Sequence, residues 1–276
     1  MERIKEALER AKRQRDASGG SVATPAHPKN NVARVSGRAP NTLEIEYTRT
    51  RVVSPDPVAM REKRVIPAGS GDVVADAYRM LRTRVLRGMK ENRWNSLAIT
   101  SPRSGEGKSL TAVNLALSMA REIDQTVLLV DLDLRRPSIH DFFGFEIEKG
   151  LSDYLTSDVP IEELLINPSM DRFVVLPGRG RVDNSSELLA SPKMTQLSEE
   201  IARRYENRVV VYDLPPVLAV DDALAFSNQV DAFLLVVEEG GTPAEEIIAA
   251  HDVLAESNII GTVLNKASDT TGQYYY

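Results

Sequence analysis

Between residues 72 and 264, short and almost continuous apolar runs alternate with segments of helical periodicity. Runs of this kind are typical of strands that are buried on both faces of a parallel sheet. The strand candidates are residues 96–101, 126–132, 172–176, 208–213, 232–237 and 259–264. The alternation predicts an α/β fold with a doubly wound, mostly parallel sheet flanked by helices.

Four helices are predicted from apolar spacing and from end signals. Apolar residues recur at helical intervals over residues 72–90, and a second helix is expected over residues 110–122. Ser191-Pro192 supplies an N-cap followed by proline at the first helical position, and predicts a helix to about residue 205. Thr242-Pro243-x-Glu245 has the spacing of a capping box and predicts the start of the last long helix.

The N-terminal quarter of the chain differs from the rest in composition and charge. A short charged helix is predicted for residues 1–16. Residues 17–70 are rich in Gly, Pro, Ser and Asn, and are therefore predicted to form a flexible, disordered linker. Residues 1–70 hold 14 Lys and Arg against 8 Asp and Glu, a charge of +6, whereas the rest carries −12. Such a basic arm either contacts anionic lipid or an acidic partner, or only keeps the chain in solution.

Other classes of protein are disfavoured by what the sequence lacks. No run approaches the ~20 apolar residues of a membrane span, and the charged N-terminus does not resemble a signal peptide. Cysteine is absent, which excludes thiol catalysis. Because the part after residue 70 is acidic and poor in aromatics, nucleic-acid binding is not expected. We expect a cytoplasmic protein.

A phosphate-binding loop is predicted between the first of these strands and the helix after it. Gly105-Glu106-Gly107-Lys108-Ser109 matches the end of a Walker A loop, in which glycines let backbone N–H groups point at phosphate oxygens. Lys108 is expected to reach the β- and γ-phosphates, and the Ser109 hydroxyl to bind Mg²⁺. Pro102 replaces the usual first glycine. The alternative is a glycine-containing turn without a ligand.

Acidic residues end two further predicted strands. Asp131-x-Asp133-x-Arg135 follows one buried run, and Asp213 ends another before Leu-Pro-Pro. Ligands of open α/β sheets bind at the carboxyl ends of strands, so one of the first two acids is expected to face the metal and the other its water shell or an acceptor hydroxyl. Asp213 would hold Mg²⁺ through water, as a Walker B acid does. The alternative is that these acids only cap strands.

Together these motifs resemble the bacterial tyrosine kinases of polysaccharide export. That family carries a Walker A loop, a D-x-D-x-R motif and a D-x-P-P motif, and the resemblance covers about residues 70–276. The N-terminal arm is similar to that of stand-alone members in exosortase-linked exopolysaccharide systems. Asp76-x2-Arg79-x2-Arg82 resembles the family's self-association motif, with Asp for Glu, and residues 184–189 resemble its N-P-S-E-L-L segment.

The resemblance implies a non-specific protein-tyrosine kinase of P-loop NTPase type that uses Mg·ATP, with a kinase domain over residues 71–270. The nucleotide would be held by residues 104–109 and by Asn265 at the adenine, and Mg²⁺ by Ser109, Asp133 and Asp213. Asp131 would orient or deprotonate the tyrosine, and Arg135 would stabilise the transferred group; which acid has which role stays open. The nucleotide-binding set is Ser104, Gly105, Glu106, Gly107, Lys108, Ser109, Leu110 and Asn265, and the catalytic set is Lys108, Asp131, Asp133 and Arg135.

The chain ends in a tail, residues 271–276, whose last three residues are Tyr274, Tyr275 and Tyr276. In the resembling family such a cluster is the autophosphorylation site, and transfer in trans within a ring or dimer is expected. An inert tail is the alternative. By the same resemblance, the activator is a membrane polysaccharide co-polymerase, or chain-length determinant, that recruits the protein to the inner face of the plasma membrane.

Two other functions fit parts of the sequence. A partitioning or septum-placing ATPase shares the loop and the fold, but has a lysine where this chain has Arg103. It would release free phosphate without labelling tyrosine. A non-enzymatic regulatory subunit is the second, and the full set of phosphate and metal residues argues against it.

Overall fold

The computed structural model describes residues 50–66, 71, 73–157, 159–204 and 207–268. All of them belong to one compact unit, Asn41–Tyr276. The predicted helix over residues 1–16, most of the predicted linker and the tyrosine tail lie outside the described residues.

The unit is built on an eight-stranded sheet with the order β1-β4-β5-β3-β6-β2-β7-β8. Only the β4–β5 pair is antiparallel, and all other neighbours are parallel. The predicted mostly parallel sheet is thus confirmed, and each of the six predicted strands is found to within one residue. The strands are β1 (Arg51–Val52), β2 (Ser96–Thr100), β3 (Thr126–Asp131), β4 (Ile166–Asn167), β5 (Phe173–Leu176), β6 (Arg208–Asp213), β7 (Ala232–Glu238) and β8 (Ile259–Asn265).

Helices cover both faces of the sheet, as predicted. In the described ranges every helix is too short or too polar to cross a lipid bilayer. The predicted Ser191 N-cap is confirmed, because its hydroxyl accepts a hydrogen bond from Met194 N at 3.2 Å. The helices are α1 (Pro57–Glu62), α2 (Val73–Asn92), α3 (Lys108–Met119), α4 (Ile139–Phe143), α5 (Leu151–Thr156), α6 (Ser185–Leu189), α7 (Pro192–Arg203), α8 (Asp222–Phe226) and α9 (Ala244–Val253).

Two hydrophobic cores lie on opposite faces of the sheet. In β3, Leu128 and Val130 join the core under α5–α9, while Val127 and Leu129 join the core under α2–α4. Successive strand residues point to opposite faces, so a strand buried on both sides needs an unbroken apolar run. This explains why the strands were visible in the sequence.

The prediction of a disordered linker over residues 17–70 is wrong for residues 50–66, which are ordered. Here β1 pairs with β4, and α1 begins after Asp56, whose carboxylate accepts a hydrogen bond from Val58 N at 2.8 Å. The Asn114 side chain of α3 accepts a hydrogen bond from Ile66 N at 2.8 Å and so attaches the end of the segment. The strand β1 and the helix α1 are too short to show a hydrophobic periodicity in the sequence, and they are stabilised by tertiary contacts.

The capping box predicted at the start of α9 is not formed. Pro243 occupies the N-cap position, and no side chain caps the helix. The Thr242 hydroxyl instead accepts a hydrogen bond from Glu238 N at 2.8 Å and donates one to Glu106. The prediction was wrong because a tertiary contact uses the hydroxyl that the local motif requires.

Truncating Leu128 to alanine should destabilise the fold through loss of packing. Leu128 is fully buried in β3, and Leu→Ala changes at such positions lower the free energy of unfolding by about 2–5 kcal/mol. The matched control is Leu264→Ala, because Leu264 is 56% exposed and should change stability by less than about 0.5 kcal/mol. Urea unfolding of both variants tests this, and equal effects would contradict the two-sided core.

Candidate active site

The phosphate loop lies between β2 and α3 and has the backbone shape that its glycines predict. Gly105 and Gly107 have φ angles of +89° and +93°, which side chains other than glycine rarely adopt. A Cβ at Gly107 would also collide with the side-chain amide of Asn265. Lys108 opens the 12-residue helix α3, so the positive end of the helix dipole faces the loop. Ser104 and Gly105 lie exposed at its tip.

A compact cluster of charged side chains lies beside the loop. Lys108 Nζ lies 2.8 Å from Asp133 Oδ2 and 3.6 Å from Asp213 Oδ1. It also lies 3.1 Å from Ser109 Oγ. The structure therefore brings together the predicted lysine, hydroxyl and two of the predicted acids, because β3, β6 and β2 are neighbours in the sheet.

Lys108 is the only cation in the cluster among the described residues, and the acids keep it charged. Burial of the side chain favours the neutral amine, but the nearby charges of Asp213 and Asp133 outweigh burial and raise the pKa of Lys108. The ammonium group is therefore fully protonated at neutral pH. It is held at the position where a phosphate would meet the loop.

Asp213 is completely buried, and its nearest cation is Lys108, whose Nζ lies 3.6 Å from Oδ1. Among the described residues, none donates a hydrogen bond of normal geometry to either oxygen. Burial raises the pKa of Asp213, while Lys108 and Ser109 act in the opposite direction. A buried carboxylate without a hydrogen-bond donor, beside a serine hydroxyl and a phosphate loop, fits Mg²⁺, which prefers oxygen ligands.

The described residues form no ready-made metal cage of three or more His, Cys, Asp or Glu side chains. Proteins commonly hold Mg²⁺ through one or two carboxylates and the phosphates of the substrate. Ser109, Asp133 and Asp213 fit that pattern.

Asp131 is placed differently from its neighbours. It is fully buried, and its Oδ2 accepts hydrogen bonds from Ser138 N at 2.9 Å and Ile139 N at 3.0 Å. Its Oδ1 accepts a bond from Asp133 N at 3.2 Å. Burial, and then the charge of Asp213, raises the pKa of Asp131 to about 8. The structure thus shows Asp131 fixing the turn that carries Asp133.

Arg135 lies in a second ion pair, apart from the Lys108 cluster. Its Nε is 3.4 Å from Oδ1 of Asp222, whose side chain is completely buried. Asp222 was not among the predicted site residues, and its pairing with Arg135 was missed. The spacing along the chain contained no signal for this contact, because the two residues come from different βα units.

Two other predicted segments are found in ordinary structural contacts. Asp76 pairs with Arg79 on the exposed side of α2, while Arg82 lies 2.9 Å from Glu122 and donates to Ser118 O at 3.1 Å. The segment resembling N-P-S-E-L-L forms α6. The predicted acceptor tyrosines 274–276 lie outside the described residues.

Comparison with known proteins agrees with this geometry. The family model for the CobQ/CobB/MinD/ParA nucleotide-binding domain matches residues 97–275. The tyrosine-protein kinase YwqD of Bacillus subtilis is 34% identical over 206 residues, which cover 73% of this chain and 86% of YwqD. The solved kinase domain of the Escherichia coli tyrosine kinase ETK is 32% identical with a TM-score of 0.68, covering 86% of this chain and 99% of that domain.

Fold and site thus define a P-loop nucleotide-binding domain. Its similarity to the cell-division ATPase MinD of Pyrococcus furiosus is one of fold alone, at 22% identity, a TM-score of 0.53, and coverage of 62% of this chain and 71% of MinD. The chain belongs to the bacterial tyrosine-protein kinase family.

Proposed function

We propose that this protein is an ATP-dependent tyrosine autokinase that regulates exopolysaccharide synthesis or export and phosphorylates its own C-terminal tyrosine cluster. The observation that carries the proposal is the cluster of Lys108, Ser109, Asp133 and Asp213 at the phosphate loop. The kinase names of its relatives support tyrosine as the acceptor.

In the proposed reaction, the loop amides and Lys108 bind the phosphates of ATP. The tyrosine oxygen forms a bond to the γ-phosphorus while the bond to the β,γ-bridging oxygen breaks, which leaves ADP. Ser109, Asp133 and Asp213 would hold Mg²⁺, which when bound would supply positive charge to the phosphate oxygens. The chain contributes mainly position and electrostatics, as is usual for phosphoryl transfer.

The proton of the tyrosine hydroxyl needs an acceptor, because a phenol with a pKa near ~10 is protonated at pH 7. Asp131 is proposed as the group that orients or accepts it. Asp133 is the alternative, because it is 6% exposed whereas Asp131 is completely buried. Arg135 is proposed to stabilise the transferred group, and in the structure its side chain forms an ion pair with Asp222.

Arg103 bears on the alternative of a partitioning or septum-placing ATPase. In that class a lysine stands at this loop position, whereas the Arg103 guanidinium forms an ion pair with Glu246 of α9 in the same chain. The presence of Arg103 where that class has a lysine supports the kinase over the nucleotide-driven dimer switch.

Self-association through α2 is proposed as the arrangement that allows transfer in trans. The helix exposes Val73 (64%) and Met80 (61%), one on each side of the exposed Asp76–Arg79 pair. Apolar side chains on an exposed helix face are typical of interaction surfaces. A ring or a dimer would bring one subunit's tail to the site of its neighbour.

The activator is proposed to be a membrane polysaccharide co-polymerase, or chain-length determinant. It would recruit this protein to the inner face of the plasma membrane. The charge of +6 on residues 1–70 supports contact with an anionic surface.

A mixing experiment tests both the acceptor and the direction of transfer. One chain carries Lys108→Met with its tail intact, and the other keeps its site but has Tyr274–Tyr276→Phe. After incubation with labelled Mg·ATP, phosphotyrosine should appear by mass spectrometry on the Lys108→Met chain, in the tail.

The matched control is Tyr154→Phe, a partly buried tyrosine of α5, which should leave labelling unchanged. Full self-labelling of the Tyr274–Tyr276→Phe chain alone would show that the tail assignment is wrong. Release of free phosphate with no labelled tyrosine in any mixture would favour the ATPase switch.

A further inference from the structure

A hydrogen bond between Glu106 and Thr242 connects the phosphate loop to the turn between β7 and α9, and the proposed reaction does not use this contact. Glu106 is 2% exposed, and its carboxylate faces away from solvent into the fold. Its Oε2 accepts a hydrogen bond from Arg103 N at 2.9 Å, which closes the loop on itself. Its Oε1 accepts a hydrogen bond from the hydroxyl of Thr242.

The turn between β7 and α9 orients the Thr242 hydroxyl toward the phosphate loop. Its hydroxyl accepts a hydrogen bond from Glu238 N at 2.8 Å, so the only proton of the hydroxyl is left for Glu106. The turn needs Gly240, whose φ is +67°, and Gly241, where a Cβ would lie 2.6 Å from the Glu238 side chain. The two glycines therefore bring the hydroxyl to the carboxylate.

Two more contacts fasten the same loop from the same side. The Asn265 side chain, at the end of β8, donates from Nδ2 to the carbonyl of Glu106 at 2.8 Å. Arg103, at the start of the loop, forms its ion pair with Glu246. Together with Thr242, these residues hold both the backbone and the buried carboxylate of the loop.

We propose that Thr242, acting through Glu106, is a positioning residue that keeps the loop amides directed at the phosphates before nucleotide arrives. Donors fixed in advance bind phosphate without first having to be ordered, which is the physical basis of preorganised sites. The proposal rests on the nucleotide-binding function proposed above, and it adds Thr242, a residue outside the predicted nucleotide-binding set.

Thr242→Val is the direct test, because valine keeps the shape of threonine and removes the hydroxyl. Without this donor, the buried Glu106 carboxylate lacks a hydrogen bond, and the loop should relax away from its binding geometry. Restoring that geometry on binding should weaken the affinity for Mg·ADP, measured by calorimetry, by about tenfold. Thr242→Ser restores the hydroxyl and should bind within about twofold of the parent. Thr195→Val, on α7, is the matched control, because the Thr195 hydroxyl donates only to Ser191 O within its own helix.

Kinetics separate positioning from a general loss of stability. The loop holds the phosphates in the ground state and the transition state alike, so Thr242→Val should raise the KM for Mg·ATP and change kcat little. A merely structural role would lower the melting temperature of the nucleotide-free protein and leave KM unchanged. If the valine variant does not fold, Thr242→Ala removes the hydroxyl without adding a methyl group.

A double-mutant cycle with Glu106→Ala tests whether Thr242 acts through that carboxylate. In the Glu106→Ala background, Thr242→Val should change the Mg·ADP affinity by less than about twofold. Unchanged affinity of Thr242→Val alone, or effects of the two changes that simply multiply, would overturn the proposal. Phosphotyrosine formation by the parent chain is measured separately, so failure of the kinase function would be seen independently of this result.

Discussion

Replacing Lys108 with methionine is expected to lower phosphotyrosine formation by about 10³-fold or more, because preorganised charge at the phosphates supplies much of the catalysis. The ammonium group lies 2.8 Å from Asp133 and 3.6 Å from Asp213, and it is the charge next to the loop amides. Methionine keeps the length of the side chain and removes that charge. The measurement is the rate of tail labelling by mass spectrometry at saturating Mg·ATP.

The same change should also destabilise the nucleotide-free protein. Without the lysine, Asp131, Asp133 and Asp213 remain buried with no cation among them, and removing one partner of a buried pair typically costs about 3–5 kcal/mol. Adding Asp213→Asn should restore part of this stability and none of the activity. Lys149→Met is the matched control, because Lys149 is half-exposed in a surface pair with Glu163. Persistent labelling by a folded Lys108→Met protein would refute the loop assignment.

Replacing Asp213 with asparagine is expected to increase the stability of the protein and to decrease its activity. Burial raises the pKa of this carboxylate even though Lys108 lies 3.6 Å away, so a neutral side chain of the same shape should raise the free energy of unfolding by about 1 kcal/mol or more. Activity should fall by about 10²-fold or more, because a metal ligand and its charge are lost. Urea unfolding without nucleotide and the labelling rate are the two measurements.

The control for Asp213→Asn is Asp183→Asn, whose side chain is 83% exposed and should alter neither quantity. A destabilised Asp213→Asn protein would mean that the attraction between this carboxylate and Lys108 outweighs the cost of its burial. Full activity would remove it from the metal site. A gain in stability together with a loss of activity is the pattern expected of a group kept for function.

Most of the fold could be predicted because its signals are local. Residues 208–213 form one apolar run that ends in Asp213, and the structure has the strand at the same bounds. The phosphate loop was equally visible, since Gly105 and Gly107 occupy backbone conformations that favour glycine. The placement of Asp213 near Lys108 then followed from the rule that parallel strands end at one edge of the sheet.

The errors concern residues whose partners are distant in the sequence. Thr242 fits a capping box by spacing, yet its hydroxyl bonds to Glu106, 136 residues earlier. The contact between Arg135 and Asp222, 87 residues later, was missed for the same reason. Side-chain direction at such positions is decided by packing between units, which a single sequence does not display.

The strand order also has a consequence for how the protein is made. The strand that carries the phosphate loop, β2, lies between β6 and β7, which begin at Arg208 and Ala232. A chain emerging from the ribosome therefore presents β2 with both edges unpaired until more than a hundred further residues have been synthesised. Open strand edges of this kind are prone to aggregate, so newborn chains should depend on chaperones until β7 has been translated.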